Sequence, residues 1–190
     1  IYTVKEVQAP ANYGLNPTVF TADIEFAGQV VKLNVTDPVI TAGVSIKKTG
    51  YAQTMNNNIM RWTVSGVRND STTSLQSFYW RDTLPTDAVR LTRLVTGTYS
   101  TTQTYKVTFT TNLNSQWRTA YDNLSTAKNY TLDMSSAALG LASNEYVTQF
   151  MLSFGIVPAG FHQLTNATVD AQTLYALTNG YKFTNKADVG

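Results

Sequence analysis

Apolar and polar residues alternate with a period of two along most of the chain, which predicts strands rather than long helices. From residue 44 onward such stretches recur at 44–49, 59–68, 75–84, 89–97, 104–110, 129–133, 145–155 and 181–189, with polar turns between them. Strands at that spacing read as an antiparallel sandwich. Two stretches break the alternation. "NSQWRTAYDNLSTAKN" sets Trp117, Tyr121 and Leu124 on one helical face behind a Ser115 cap, and "DAQTLYALTNG" offers an Asp170 cap and a Gly180 stop. Both are expected to be short helical excursions. The first 41 residues divide into three extended pieces, "IYTVKEVQAP", "TVFTADIEF" and "QVVKLNVTDPVI", parted at "PANYGLNP" and at Ala27-Gly28. Pro38 and Gly43 flank a connector at 38–43, so the expected organisation is an all-β chain with one unit over 1–41 and a second over 44–190.

The same alternation shows where polar side chains are aimed inward. In "VSIKK", Val44 and Ile46 share a face with Lys48, while Ser45 and Lys47 take the other. In "FYWRDTLP", Phe78 and Trp80 share theirs with Asp82 and Leu84, and in "YKFTNKADV", Phe183, Ala187 and Val189 are in phase with Asn185. Three strands therefore each insert one polar residue into an apolar stripe. A lone buried charge costs several kcal/mol, so pairing or neutralisation is required. One outcome is a Lys48–Asp82 ion pair with Asn185 hydrogen-bonded to it. The other is reaction: desolvation lowers the lysine pKa and raises that of the aspartate, and a neutral amine can attack the Asn185 carboxamide while Asp82 moves protons.

Composition narrows the chemistry. The chain of 190 residues is 43% hydrophobic and only 14% charged, with a formal net charge of +2 and no basic tract, which argues against nucleic acid as a partner. The split at 38–43 also divides the charge: the first 41 residues carry two lysines against four acids, net −2, leaving +4 for the remainder. No apolar run approaches the roughly 20 residues that span a bilayer, so no membrane insertion is expected in this fragment. Cysteine is absent and there is one histidine, His162, read as a turn residue after Gly160. Disulfides and thiolate chemistry are excluded, and no metal or cofactor is expected. Sequons, among them those at Asn69, Asn123, Asn129 and Asn166, occur in a chain rich in Thr and Asn, where chance alone produces them.

Residues 44–190 resemble the isopeptide-forming, immunoglobulin-like sandwich domains of Gram-positive fimbrial and adhesin proteins. The resemblance lies in "VSIKKTG", "MRWTVSGVRND", "WRDTLPTD", "VTQFMLSFGIVPAGF" and "FTNKADVG". It implies a Lys–Asn cross-link between first and last strands, with Lys48 and Asn185 as the joined residues and Asp82 as the assisting acid. The first 41 residues resemble the closing half of a collagen-adhesin B-type domain through "YTVKEVQAPANYGL" and "VVKLNVTDP". There Tyr2 and Val4 share a face with Glu6, and Val31, Leu33 and Val35 share one with Asp37. The resemblance implies Glu6 as assisting acid and Asp37 as acceptor, for a lysine on an opening strand that this chain does not contain. Lys5 and Lys32 are out of phase with the apolar faces. The expectation is thus that the chain begins inside a domain.

The leading functional expectation is a structural and adhesive one: a stalk segment of a secreted, cell-wall-associated surface protein or pilin, packed against adjacent domains of the same protein. The alternative is a module that binds a host surface protein or glycan, with Trp62, Trp117 and Tyr121 as candidate contacts. An enzyme is the weakest reading, because Asp122, Asp133 and Glu145 form no pair placed by a motif, whereas glycoside hydrolysis needs two carboxyl groups at a defined separation.

Overall fold

The computed structural model describes residues 1–52, 59–178 and 180–190. It is a β-sandwich of two five-stranded antiparallel sheets. The first sheet runs, in spatial order, β10 (Thr131–Asp133), β6 (Val89–Val95), β13 (Ala167–Thr173), β4 (Ile59–Asn69) and β3 (Val44–Ala52). The second runs β14 (Lys186–Val189), β5 (Leu75–Thr83), β11 (Val147–Val157), β8 (Thr104–Thr111) and β9 (Arg118–Ser125). At one end β7 (Thr98–Tyr99) pairs with β12 (Gln163–Thr165), and near the N-terminus β1 (Tyr2–Lys5) pairs with β2 (Val19–Ala22). First and last strands of the sandwich, β3 and β14, are edge strands of opposite sheets and lie against each other along one side.

Alternation explains how the layers meet. Trp62 and Val64 of β4 and Val169 and Ala171 of β13 are buried from one side, Phe78 and Trp80 of β5 and Phe150 and Leu152 of β11 from the other. Each side chain removed from water contributes about 1.5–3 kcal/mol, which makes this interleaved layer the main source of stability. Two of the polar tips inside it are paired in a chain: the Trp80 indole donates to Tyr99 Oη at 2.9 Å, and Tyr99 Oη donates to the Thr96 carbonyl at 3.0 Å. At Gly66, with φ of 64°, β4 takes up an extra residue opposite β3, so that Val67 and Asn69 continue inward where strict alternation would turn them out.

The two expected helices are absent; no helix occurs among the described residues. The stretch after Ser115 becomes β9, because pairing with β8 satisfies its backbone and outweighs the helical spacing of Trp117, Tyr121 and Leu124. Leu124 is buried and Trp117 lies exposed. Asp170 is no helix cap but the middle of β13, where Ala167, Val169 and Ala171 alternate inward. Asn179 of that stretch lies outside the described residues. The final strand starts at Lys186 rather than at 181. In the first 41 residues only the first two extended pieces hold strands; the third is tied on by an isolated Tyr13–Val39 bridge and by the Ile40 amide donating to the Asn12 carbonyl at 2.9 Å. None of these 41 residues is fully buried, and Ile1, Val7, Phe26 and Val30 are exposed.

Asp170 anchors the outer face of the first sheet. Arg61 of β4 reaches its two carboxylate oxygens at 2.6 and 2.7 Å, and Arg93 of β6 grips one of them at 2.6 and 2.9 Å. Burial alone would raise the Asp170 pKa, but hydrogen bonds and charge from the two guanidiniums outweigh it and hold the carboxyl below its usual range. A depressed carboxylate stabilises the fold fully above the unfolded pKa of about 3.9, and that contribution is lost as pH falls through the folded value. Asp170→Asn should therefore lower stability at pH 7 by about 2 kcal/mol, discounted for the part-exposed arginines. Denaturant unfolding at pH 7 and in acid checks this; the deficit should shrink as pH falls.

Candidate functional site

Three strands bring the inward polar residues together between the sheets. Lys48 pairs with Val64 across β3 and β4, on the core-facing side, whereas Lys47 pairs with Ser65 and is exposed. Asp82 follows Phe78 and Trp80 on the buried face of β5, with Phe150 of β11 on one flank and Ala187 of β14 on the other. Asn185 stands immediately before β14, half-buried. Lys48 Nζ makes a short ion pair with Asp82 Oδ2, and the side chains are only 11% and 0% exposed respectively. Lys48 Nζ also lies 5.5 Å from the centre of the Trp62 ring, which caps it, and Trp62 in turn meets Phe183 edge-on at 6.3 Å.

The balance of charge in this cluster is unusual. Burial is the largest influence on Lys48 and lowers its pKa, against the opposing pull of Asp82. On Asp82 burial is again the largest influence and raises the pKa, opposed by the charge and hydrogen bond of Lys48 and by the neighbouring Asn185 carboxamide. Both shifts move the pair in the direction of the neutral amine and the neutral acid. The Asn185 carboxamide lies close enough to bias Asp82, yet neither its Oδ1 nor its Nδ2 meets a partner with hydrogen-bond geometry, and Asp82 Oδ1 is likewise unpaired. An unmade hydrogen bond at a buried polar atom costs about 1–3 kcal/mol, so three orphaned atoms in one cluster call for an explanation. Lys48 and Asn185 line one cleft of about 630 Å³ that opens between Trp62, Phe183 and Tyr181.

Gly50 makes that cover possible. It faces Trp62 across β3 and β4, and a β-carbon there would collide with the indole ring. Glycine weakens a strand interior, so its presence opposite a tryptophan reflects close approach.

Other candidates disperse. Glu6 Oε2 accepts the Asn16 amide at 2.6 Å, and Asn16 Nδ2 donates to the Thr36 carbonyl at 2.9 Å, which ties the strand of Glu6 to the segment of Asp37. Both acids are half-buried, Asp37 Oδ1 is unpaired, and Lys5 and Lys32 are exposed. Trp62 belongs to the core, Trp117 is exposed, and Tyr121 donates to the Asp133 carbonyl at 2.8 Å. Glu145 is taken by Thr111 Oγ1 at 2.7 Å and by Arg118 at 2.5 Å, Asp133 by the Ser135 amide at 3.0 Å. His162 is exposed in the turn, its Nδ1 2.8 Å from the Gly160 carbonyl. Among the described residues no three His, Cys, Asp or Glu side chains gather where a metal could sit. Of the sequons, Asn69 is fully buried, its Nδ2 donating to the Thr73 and Pro158 carbonyls, which leaves no room for a glycan. The Asp170–arginine network escaped sequence reading, although the Ala167, Val169, Ala171 alternation was available to place Asp170 on a strand.

Fold and cluster define a class: an all-β sandwich in which Lys48 of the edge strand β3 pairs with Asp82 of β5 between the sheets, beside Asn185 at the start of the edge strand β14. Compared with protein-family models, with curated proteins and with solved structures, the chain matches none.

Gly50→Ala should push Trp62 off Lys48 and cost about 1–3 kcal/mol, the usual range for forcing extra volume into a packed site. A lower denaturation midpoint with altered tryptophan fluorescence checks it.

Proposed function

We propose that this chain is a stalk segment of a bacterial cell-wall surface protein or pilin, reinforced by an intramolecular Lys48–Asn185 isopeptide bond. One observation carries the reading: a lysine and an aspartate buried as a pair beside an asparagine whose two side-chain polar atoms have no partner. In the reaction, Lys48 Nζ attacks Asn185 Cγ while Asp82, as the neutral acid, polarises the carboxamide oxygen. The bond from Cγ to Nζ forms and the bond from Cγ to Nδ2 breaks. Asp82 relays the proton lost by Nζ to the departing nitrogen, and ammonia leaves. This is a single event without turnover, so the protein is not an enzyme in the ordinary sense.

The mechanical logic follows from the strand order. β3 and β14 begin and end the sandwich and sit side by side on opposite sheets. Tension applied at the two ends of 44–190 loads these strands first, and a covalent bond between them carries the force past the core. By analogy with disulfides, closing a loop of more than two thirds of the chain contributes on the order of 5 kcal/mol. The exposed apolar residues and half-buried acids of 1–41 fit the B-type resemblance of that stretch. In this reading the protein is extracellular, packs against neighbouring domains of the same surface protein and meets host surfaces.

Intact mass is the decisive measurement. The purified protein should weigh one ammonia less than its sequence requires, and a digest should contain one branched peptide joining the segments around Lys48 and Asn185. Lys48→Ala and Asn185→Ala should show the full mass and a lower thermal midpoint. Asp82→Ala should retain the ammonia, and any condensation by Asn185→Asp would shed water instead. Full mass in the unaltered protein overturns the proposal.

A further inference from the structure

We propose that the outer face of the second sheet carries a binding groove for a neutral oligosaccharide. The groove, about 770 Å³, crosses β5, β11, β8 and β9 on the side away from the core, and it lies within the roughly 300–1,000 Å³ of small-molecule sites. Three features distinguish it from an ordinary solvated sheet face.

Its backbone is shaped. Ser77 and Asn123 are two of three described non-glycine residues with positive φ, at 56° and 54°; Ser77 lines the groove and Asn123 follows the lining residue Asp122. Gly155, at φ 72°, lines it and pairs with Phe78, the neighbour of Ser77, where the β5–β11 register slips. The β8–β9 register slips as well, around Val107. Irregularities of this kind cost energy and bend strands, and here they gather on one face.

Its floor holds an unmet hydrogen-bonding group. Thr108 is 6% exposed and its Oγ1 has no partner, although it lies among groove-lining residues of β8, β9 and β11. A ligand hydroxyl is the group that would satisfy it, since a hydroxyl can both donate and accept.

Its rim has a free aromatic. Trp117 is 40% exposed, whereas Trp62 and Trp80 are buried. A solvated indole beside a groove lined by hydroxyls and apolar side chains presents a flat apolar face for the C–H side of a pyranose ring, the amphipathic surface that such rings match. The remaining polar lining is hydroxyls plus one lysine, Lys106, and one acid, Asp122, whose charges offset. That balance favours an uncharged ligand rich in hydroxyls over an acidic one. The groove lies on the opposite face of β5 from Asp82, so this proposal stands or falls independently of the cross-link.

The test titrates the full 190-residue chain with neutral di- to tetrasaccharides of galactose, glucose and N-acetylglucosamine, with sialylated counterparts and a sugar-free protein ligand alongside. Tryptophan fluorescence and calorimetry report binding. Saturable binding of at least one neutral saccharide is expected, weakened about tenfold or more by Trp117→Ala, which corresponds to 1.4 kcal/mol. Thr108→Val should weaken it too while leaving the unfolding midpoint unchanged or higher, because it removes an unpaired buried hydroxyl without losing volume. The proposal is overturned by no saturable binding to the neutral panel, by binding that both substitutions leave intact, or by binding confined to the acidic sugars or the sugar-free protein.

Discussion

The desolvated pair between Lys48 and Asp82 is the constraint around which the sandwich is arranged. It is the contact that crosses from the edge strand of one sheet to the interior of the other, and it does so where apolar surroundings make charge expensive. The side chains around it are largely apolar. Trp62 caps the ammonium, Gly50 clears the space for the indole, and Ala187 and Phe150 flank the carboxylate on β5. The same apolar enclosure that penalises the ions promotes the neutral amine and acid, so the cost of burial becomes a chemical poise. A buried pair kept only for stability gains little over hydrophobic replacements, which gives reactive use of the cluster its physical appeal.

The two faces of the sheets divide the remaining labour. On the outside of the first sheet, Asp170 locks β4, β13 and β6 through two arginines. On the outside of the second, bulges and positive-φ residues open a groove instead, and the exposed Trp117 stands at its rim. The proposed cross-link and the proposed saccharide groove fall on different surfaces, one along the β3–β14 side and the other across the β5–β9 face.

Much of the fold was legible in the chain because period-two alternation is local. Val44–Ile46–Lys48 and Phe78–Trp80–Asp82 each declare their inward face within five residues, and the observed register keeps both in phase. Where reading went astray, a non-local pairing had won. Trp117, Tyr121 and Leu124 carry a helical spacing, but β8 offers their backbone a ladder that the spacing cannot reveal. Asp170 looked like a cap because its arginine partners lie 109 and 77 residues away. The third piece of 1–41 alternates well yet forms no strand, for its flank lacks the neighbour a strand requires.

By itself, then, the sequence determined the all-β character, the inward set of strands such as β3 and β5, and the identity of the three polar residues aimed at the core. These follow from side-chain direction, which the backbone period sets residue by residue. Tertiary structure alone decided that β3 and β14 would lie side by side on opposite sheets, that Asn185 would be left without hydrogen-bond geometry beside a buried pair, and that slips in the β5–β11 and β8–β9 registers would fall beside one groove. Each of these depends on which strands meet and in what register, and that choice is made by the packing of two sheets over a shared core.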